Sequence, residues 1–300
     1  MALPQTFTLP LAPLEAPRLK LFFLDKGFEI RDAPYAFWQA RGPGCNATFY
    51  TSGKLLLQGP EADVYRALLG DDTPETRPYH RALGKHPQPL PAEWIGTDEA
   101  GKGDYFGPLV VAGVSLPRKA IEILAELGID DSKKLSDDRM STMVEAVRSL
   151  GPWEELVIMP ARYNEMYGRA RNLNLMLAWA HAKVIENLLD KGAATWVLID
   201  KFAEERVVRG YLGEKGKAVA LTLRTKAEED PAVAAASVLA RSAYMRCLRA
   251  LSKRYDVELR PGAGAPTLAV GRELVRRHGP EVLAETGKLH FVTTQHITGG

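Results

Sequence analysis

Apolar residues follow two rhythms along this chain, separated by a stretch that has neither. Before residue 71 the helical spacing over 18–26 gives way to three short runs of strand character, 36–40, 46–50 and 54–58. Gly42-Pro43-Gly44 and Ser52-Gly53 fall between the runs and predict hairpin turns. A second helical run over 61–69 completes an α-β-β-β-α order, which predicts a small sheet with helices on one face. Phe37 and Trp38 are adjacent in the first run. Side chains alternate along a strand, so one of the two belongs in the core and the other on the open face.

Residues 71–91 carry Asp, Pro, Thr and His without hydrophobic periodicity and predict a linker. The expected organisation is a small domain over 1–70, that linker, and a larger domain over 92–300. Strands are predicted at 94–98, 109–116, 155–159, 195–200 and 217–223. Helices are predicted at 119–127, from an N-cap at Ser136 to 150 with Asp137 and Asp138 near its positive end, at 172–191, and at 231–254. Antiparallel-type strands come first and strand–helix alternation follows, so the larger domain is expected to be an α/β fold with a mixed sheet covered on both faces.

Composition narrows the class. Of 300 residues, 46% are hydrophobic and 25% charged, the profile of a soluble globular protein large enough to bury full cores. Cys45 and Cys247 lie far apart with no metal-type spacing and read as reduced thiols, as in a cytoplasmic protein. The first residues lack a basic cluster followed by an apolar core, and no apolar run is long enough for a bilayer, so neither secretion nor a membrane is expected. Net charge is only +2, but 241–278 holds nine Lys or Arg against three acids. That local excess could attract phosphate, or could be an ordinary solvated helix face.

Two predicted strands of the larger domain end in acids, Asp98 and Asp200. Sites in open sheets form at the carboxyl ends of parallel strands, so adjacent strands would bring these two together. Glu99 adds a third carboxylate, and Glu228, at the start of the next helix, a fourth. Such a cluster repels itself unless a hard divalent cation sits in it, and Mg²⁺ or Mn²⁺ prefers oxygen ligands. Either acid alone could be a solvated turn residue. Gly101-Lys102-Gly103 follows directly, and glycines flanking one residue let backbone N–H groups approach a ligand closely. A ribose 2′-hydroxyl, the group that separates RNA from DNA, could be read in that way.

The string Thr97-Asp98-Glu99-Ala100-Gly101-Lys102-Gly103-Asp104-Tyr105-Phe106-Gly107-Pro108 resembles the signature of the type 2 ribonucleases H. Asp131-Ser132-Lys133-Lys134-Leu135-Ser136 and Ala234-Ala235-Ala236-Ser237-Val238-Leu239-Ala240-Arg241 resemble further blocks of that family, in the same order. Asp104-Tyr105-Phe106-Gly107-Pro108, Leu198-Ile199-Asp200-Lys201-Phe202 and Lys288-Leu289-His290-Phe291 look like the HIII form rather than the HII form. So does Pro34-Tyr35-Ala36-Phe37-Trp38-Gln39-Ala40 with Ser52-Gly53-Lys54. The resemblance spans essentially the whole chain.

It implies a ribonuclease H-like mixed sheet flanked by helices, with a small N-terminal α+β domain resembling half of a TATA-box-binding protein. The implied activity is hydrolysis of the RNA strand of RNA–DNA hybrids by a two-metal mechanism using Mg²⁺ or Mn²⁺. The implied metal ligands are Asp98, Glu99, Asp200 and an acid after Lys226-Ala227, taken as Glu228 with Glu229 in reserve. Gly101, Lys102, Gly103, Ser132 and Lys133 are the implied substrate contacts, and Tyr163, Asn164, Asn172 and Asn174 fall where the family flanks its groove. Pro261-Gly262-Ala263-Gly264-Ala265-Pro266-Thr267 stands where HII enzymes carry a tyrosine for lone ribonucleotides, which favours hybrids. The alternatives are an HII-type enzyme and a non-catalytic nucleic-acid binder. Nothing calls for an obligate oligomer, so a monomer is expected. His181 reads as packing or a satisfied polar contact, lacking a partner at metal spacing.

Overall fold

Among the described residues ten strands form two five-stranded sheets, each with its own packing. The computed structural model describes residues 5–11, 13–70, 86–87, 89–126, 129 and 137–299. Packing divides the chain into two units: residues 1–86 with 119–149, and residues 87–118 with 150–300. The linker expectation concerns 71–91, most of which lies outside the described residues.

In the first unit, β1 (Gln5–Pro10), β2 (Glu29–Arg31), β3 (Ala36–Gly42), β4 (Cys45–Tyr50) and β5 (Lys54–Gly59) lie in the order β1-β5-β4-β3-β2, antiparallel throughout. Helices α1 (Ala16–Asp25) and α2 (Ala62–Gly70) supply Leu19, Phe23 and Ala62 to a core shared with Trp38, Ala40, Ala47, Phe49, Leu55 and Leu57. Trp38 is the buried aromatic of its pair, its indole N–H donating to Ala16 O at 2.7 Å, while Phe37 is 42% exposed. The three expected strands are present and two more flank them. β1 is an edge strand ending in Pro10, and β2 has only three residues, too few to register as a period. This unit also includes α3 (Arg118–Glu126) and α4 (Asp137–Leu150), with Arg139 of α4 paired to Asp25 of α1 at 2.7 Å. The proposed cap Ser136 lies outside the described residues.

The second sheet runs β10-β9-β6-β7-β8, from β6 (Glu93–Ala100), β7 (Leu109–Pro117), β8 (Trp153–Ile158), β9 (Trp196–Asp200) and β10 (Ala220–Arg224). β6, β7 and β8 pair antiparallel, whereas β6–β9 and β9–β10 pair parallel, the mixed sheet expected from the element order. Helix α5 (Pro160–Ala170), which the spacing does not predict, leads into α6 (Leu173–Leu189). The short helices α7 (Glu205–Arg209) and α8 (Glu214–Ala218) precede β10, and the latter occupies the start of the expected strand 217–223. Beyond α9 (Pro231–Tyr255) come three helices absent from the sequence reading, α10 (Ala265–His278), α11 (Val282–Thr286) and α12 (Val292–Thr298).

Alternation along β6 assigns its two faces. Ile95 packs in one apolar cluster with Leu177, Val184 and Leu188 of α6. Gly96 faces α9 so closely that a Cβ there would lie 2.3 Å from the Ala232 backbone, so glycine is required for the helix to seat. Asp230 caps α9, accepting from Ala232 N at 2.8 Å and from the Trp94 indole at 3.2 Å. The strand that carries the acids is therefore clamped from both sides. Among the described residues no helix is long and apolar enough to cross a membrane.

Candidate active site

β6 runs two residues past the expected end at Asp98, so that Asp98 and Glu99 both lie within it, opposite Ala112 and Val111 of β7. On its other side β6 pairs with β9 up to Thr97 and Ile199, so Asp98 and Asp200 are the next residues along two adjacent parallel strands. Glu228 sits in a single 3-10 turn (Ala227–Glu229) before α9, not in the helix itself. That turn is tied to β9, because Ala227 N donates to Asp200 Oδ1 at 2.9 Å. The Glu228 carboxyl hydrogen-bonds Asp200, while Glu229 is exposed. All four predicted acids thus gather where the parallel strands end.

Strand alternation turns the neighbouring acids toward different helices. Asp98, on the α9 side, accepts from the Ser237 hydroxyl and from the Glu99 N–H at 2.8 Å. Glu99, on the α6 side, has Oε2 3.3 Å from His181 Nε2 and Oε1 3.2 Å from Lys102 Nζ. His181 is fully buried and its Nδ1 meets Thr97 Oγ1 at 2.8 Å. Phe202 stacks on the imidazole at 5.0 Å between centroids, and Lys102 Nζ lies 5.8 Å from the same phenyl ring.

These surroundings set the charges. Burial raises the Asp98 carboxyl to about 7, and the charges of Glu99 and then Asp200 add to the rise, against hydrogen bonds from Glu99 N and Ser237. Asp200 is raised as well, by burial first and then by Glu228 and Glu99, with Ala227 N opposing. Burial pushes Glu99 the same way, but His181 and Lys102 outweigh it and hold this carboxyl below its ordinary value. Acids that resist joint ionisation in a polar cleft are a common mark of a functional site.

A hard cation fits this donor set chemically: all four side chains offer carboxylate oxygen, and the repulsion that raises Asp98 and Asp200 is what a divalent ion would relieve. As they stand, no three or more His, Cys, Asp or Glu among the described residues form a ready ligand cage. The acids are neighbours that would have to close around an ion.

The glycine turn behaves differently at its two glycines. Gly101 is buried at φ +85°, and a Cβ there would lie 2.2 Å from Pro108 O. Gly103 is exposed with nothing within 4 Å of a built Cβ. Ser132 and Lys133 lie outside the described residues.

One expectation is corrected, and two open readings fall on their ordinary side. Tyr163 is fully buried and does not flank a groove. Asn164 is spent on backbone, donating to Ala284 O and Gly287 O and accepting from Leu289 N, and Asn172 caps α6. Much of the basic excess of 241–278 is ion-paired: Arg246 to Glu155, Arg254 to Glu285, Arg260 to Glu258, and Arg276 and Arg277 to Glu273. The sequence reading also missed the link from His181 to Glu99, and no local spacing signals it, since 82 residues separate the two.

Comparison with known proteins gives a consistent picture. Residues 95–294 match the family model described as ribonuclease HII, and residues 18–80 match one described only as a domain of unknown function. A ribonuclease HIII of Protochlamydia amoebophila (strain UWE25) is 39% identical over 91% of this chain and 90% of its own length. One from Chlamydia pneumoniae is 35% identical over 99% of this chain and 100% of its own. Among solved structures, Bst-RNase HIII in complex with Mn²⁺ superposes with a TM-score of 0.66 at 27% identity, covering 98% of both chains. Aquifex aeolicus RNase H3 gives 0.56 at 26%, covering 94% of this chain and 99% of that one.

Proposed function

The chain belongs to the ribonuclease HIII family and is a ribonuclease H, and from that premise we propose that it hydrolyses the RNA strand of RNA–DNA hybrids at the Asp98, Glu99, Asp200 and Glu228 cluster. The observation that carries this reading is the meeting of those acids at the ends of adjacent parallel strands, with Asp98 raised to about 7 by burial and its neighbours.

In this proposal the four acids hold Mg²⁺ or Mn²⁺, the latter being the ion in the Bst-RNase HIII structure. When bound, such ions supply an activated water and charge stabilisation for the leaving oxygen, giving 5′-phosphate and 3′-hydroxyl ends. His181 and Lys102 keep Glu99 ionised. Ser237 and Glu99 N orient the Asp98 carboxyl, and Ala227 N orients that of Asp200. Gly101, Lys102 and Gly103 present backbone to the RNA strand, and the openness around Gly103 leaves room for a ribose to come close. Ser132 and Lys133 complete the contacts on the phosphates.

The domain over 1–70, joined through 71–91 to the catalytic domain over 92–300, holds the duplex. Support comes from exposed aromatic rings at Tyr35 and Phe37, and from Gln39 and Arg41, which alternate with buried Trp38 and Ala40 along β3 and so share the face of Phe37. The enzyme acts as a cytoplasmic monomer, in keeping with its free Cys45 and Cys247.

The test is cleavage-site mapping with Mg²⁺ or Mn²⁺ on two end-labelled substrates, a continuous hybrid and a DNA duplex carrying one ribonucleotide. Multiple cuts in the hybrid with little cutting of the second substrate are expected. Preference for the lone ribonucleotide, or full activity in Asp98→Asn, would overturn the proposal.

A further inference from the structure

Lys288 is fully buried, and no other lysine or arginine is among the buried residues described. Its partners are backbone. Nζ donates to Asp104 O and to Gly107 O, each at 2.9 Å, and its main-chain N–H donates to Tyr105 O at 2.9 Å. The Tyr244 hydroxyl takes Phe106 O at 3.1 Å. Every carbonyl from 104 to 107 therefore has a donor, three of the four from Lys288. Gly262 and Thr286 receive the N–H groups of Tyr105 and Gly107.

Segment 104–107 is the return limb of the loop that carries the glycine turn. The limbs meet where Gly101 touches Pro108 O. The outgoing limb is held by Lys102 on Glu99, so the shape of the turn depends on what fixes the return limb. Lys288 is itself braced. Asn164 of α5 bonds Gly287 O and Leu289 N on either side of it, and the Tyr163 ring lies under its ammonium at 5.5 Å.

We propose that Lys288 is a positioning residue for RNA recognition, clamping the return limb so that the 101–103 turn presents one backbone shape to the ribose. This rests on the reading of that turn as the RNA contact. Burying an amine costs free energy that an apolar residue would not incur, and satisfying the half-buried Asp104 O and the buried Gly107 O is the compensating gain. Burial lowers the Lys288 amine to about 7, with Asp104 opposing. A neutral amine keeps two N–H donors, enough for both carbonyls, so the clamp holds in either protonation state.

Lys288→Met keeps the stem and the main-chain bond to Tyr105 O and removes the two Nζ bonds. Steady-state kinetics on the hybrid, binding of hybrid against same-sequence DNA duplex without divalent ions, and thermal melting are compared with wild type. The expected result is a roughly tenfold rise in KM with kcat within about threefold, and a roughly tenfold loss of hybrid-over-DNA preference. Tyr244→Phe removes the hydroxyl from Phe106 O and from the Asp104 carboxyl, both on the same limb, and should move both quantities the same way by about threefold, which decides the matter if Lys288→Met does not fold. A folded variant with unchanged KM and preference, or with kcat alone reduced, overturns the clamp. Failure of wild type to cleave the hybrid would overturn the functional reading itself, and the clamp with it.

Discussion

His181 touches Glu99 and Thr97 with opposite edges of one ring, Nε2 at 3.3 Å from Glu99 Oε2 and Nδ1 at 2.8 Å from Thr97 Oγ1. Thr97 and Glu99 are two residues apart on β6 and so share a face, and a single histidine from α6 can span both. One ring nitrogen thus serves the carboxylate and the other the hydroxyl, so both polar edges of the buried ring have partners.

Removing that donor should weaken the proposed metal site. In His181→Phe the ring can still pack on Phe202, but burial then raises Glu99 with only Lys102 opposing. Partners of this kind typically contribute 10–100-fold to metal affinity, so the Mn²⁺ concentration for half-maximal cleavage should rise by about that factor. Raising the pH from 7 to 8.5 should recover part of it. A metal titration at both pH values checks this, and an unchanged midpoint would show that His181 only fills space.

The glycines of the turn should separate stability from recognition. Gly101→Ala forces a side chain onto φ +85° and against Pro108 O, and it should lower unfolding free energy by about 1–3 kcal/mol or more in urea melts. Gly103→Ala meets nothing in the protein, so its melt should match wild type while KM for the hybrid rises several-fold. If Gly103→Ala is as active as wild type, the turn does not approach the ribose at that point.

Glu228 and Glu229 are neighbours with different surroundings. The first hydrogen-bonds Asp200 and the second faces solvent. Glu228→Gln should reduce kcat by at least about a hundredfold, and Glu229→Gln by less than about threefold, the usual scale for losing a group that acts on the reacting centre against one that does not. The reverse ranking would move the fourth ligand by one residue.

How far the sequence could be read follows from the range of the interactions involved. Asp98 and Asp200 were legible because each closes a short run of strand character, Trp94-Ile95-Gly96-Thr97 and Trp196-Val197-Leu198-Ile199, and parallel pairing of those runs does the rest. Trp38 against Phe37 was legible through strand alternation alone. β1 and β2 were not, since an edge strand ending in proline and a three-residue strand carry too few positions to show a period. The grouping of 119–149 with the N-terminal residues rests on contacts such as Arg139 with Asp25, more than a hundred residues apart, which no local pattern encodes. The partners of His181 and Lys288 escaped for the same reason, since they lie 82 and 184 residues away, although Lys288 itself stands in a block that resembles the HIII form.

Asp98 ties the site to pH in a direction that can be worked out. Its carboxyl sits at about 7 in the folded protein against an ordinary 3.8. Below about pH 4 it is protonated whether folded or not, and it contributes nothing. Between about 4 and 7 the unfolded chain releases this proton while the folded protein keeps it, so stability falls as pH rises; above 7 the penalty is complete and constant. Asp98→Asn has no such penalty. In EDTA its melting advantage over wild type should therefore grow from pH 4.5 to 7 and then level off, at no more than roughly 4 kcal/mol for a shift of about three units. A divalent ion held as proposed would favour the ionised form, so adding Mn²⁺ should raise the melting temperature of wild type far more than that of the variant. Calorimetry across this pH range, with and without Mn²⁺, reads both effects, and parallel curves for the two proteins would mean that Asp98 is neither strained by its neighbours nor a metal ligand.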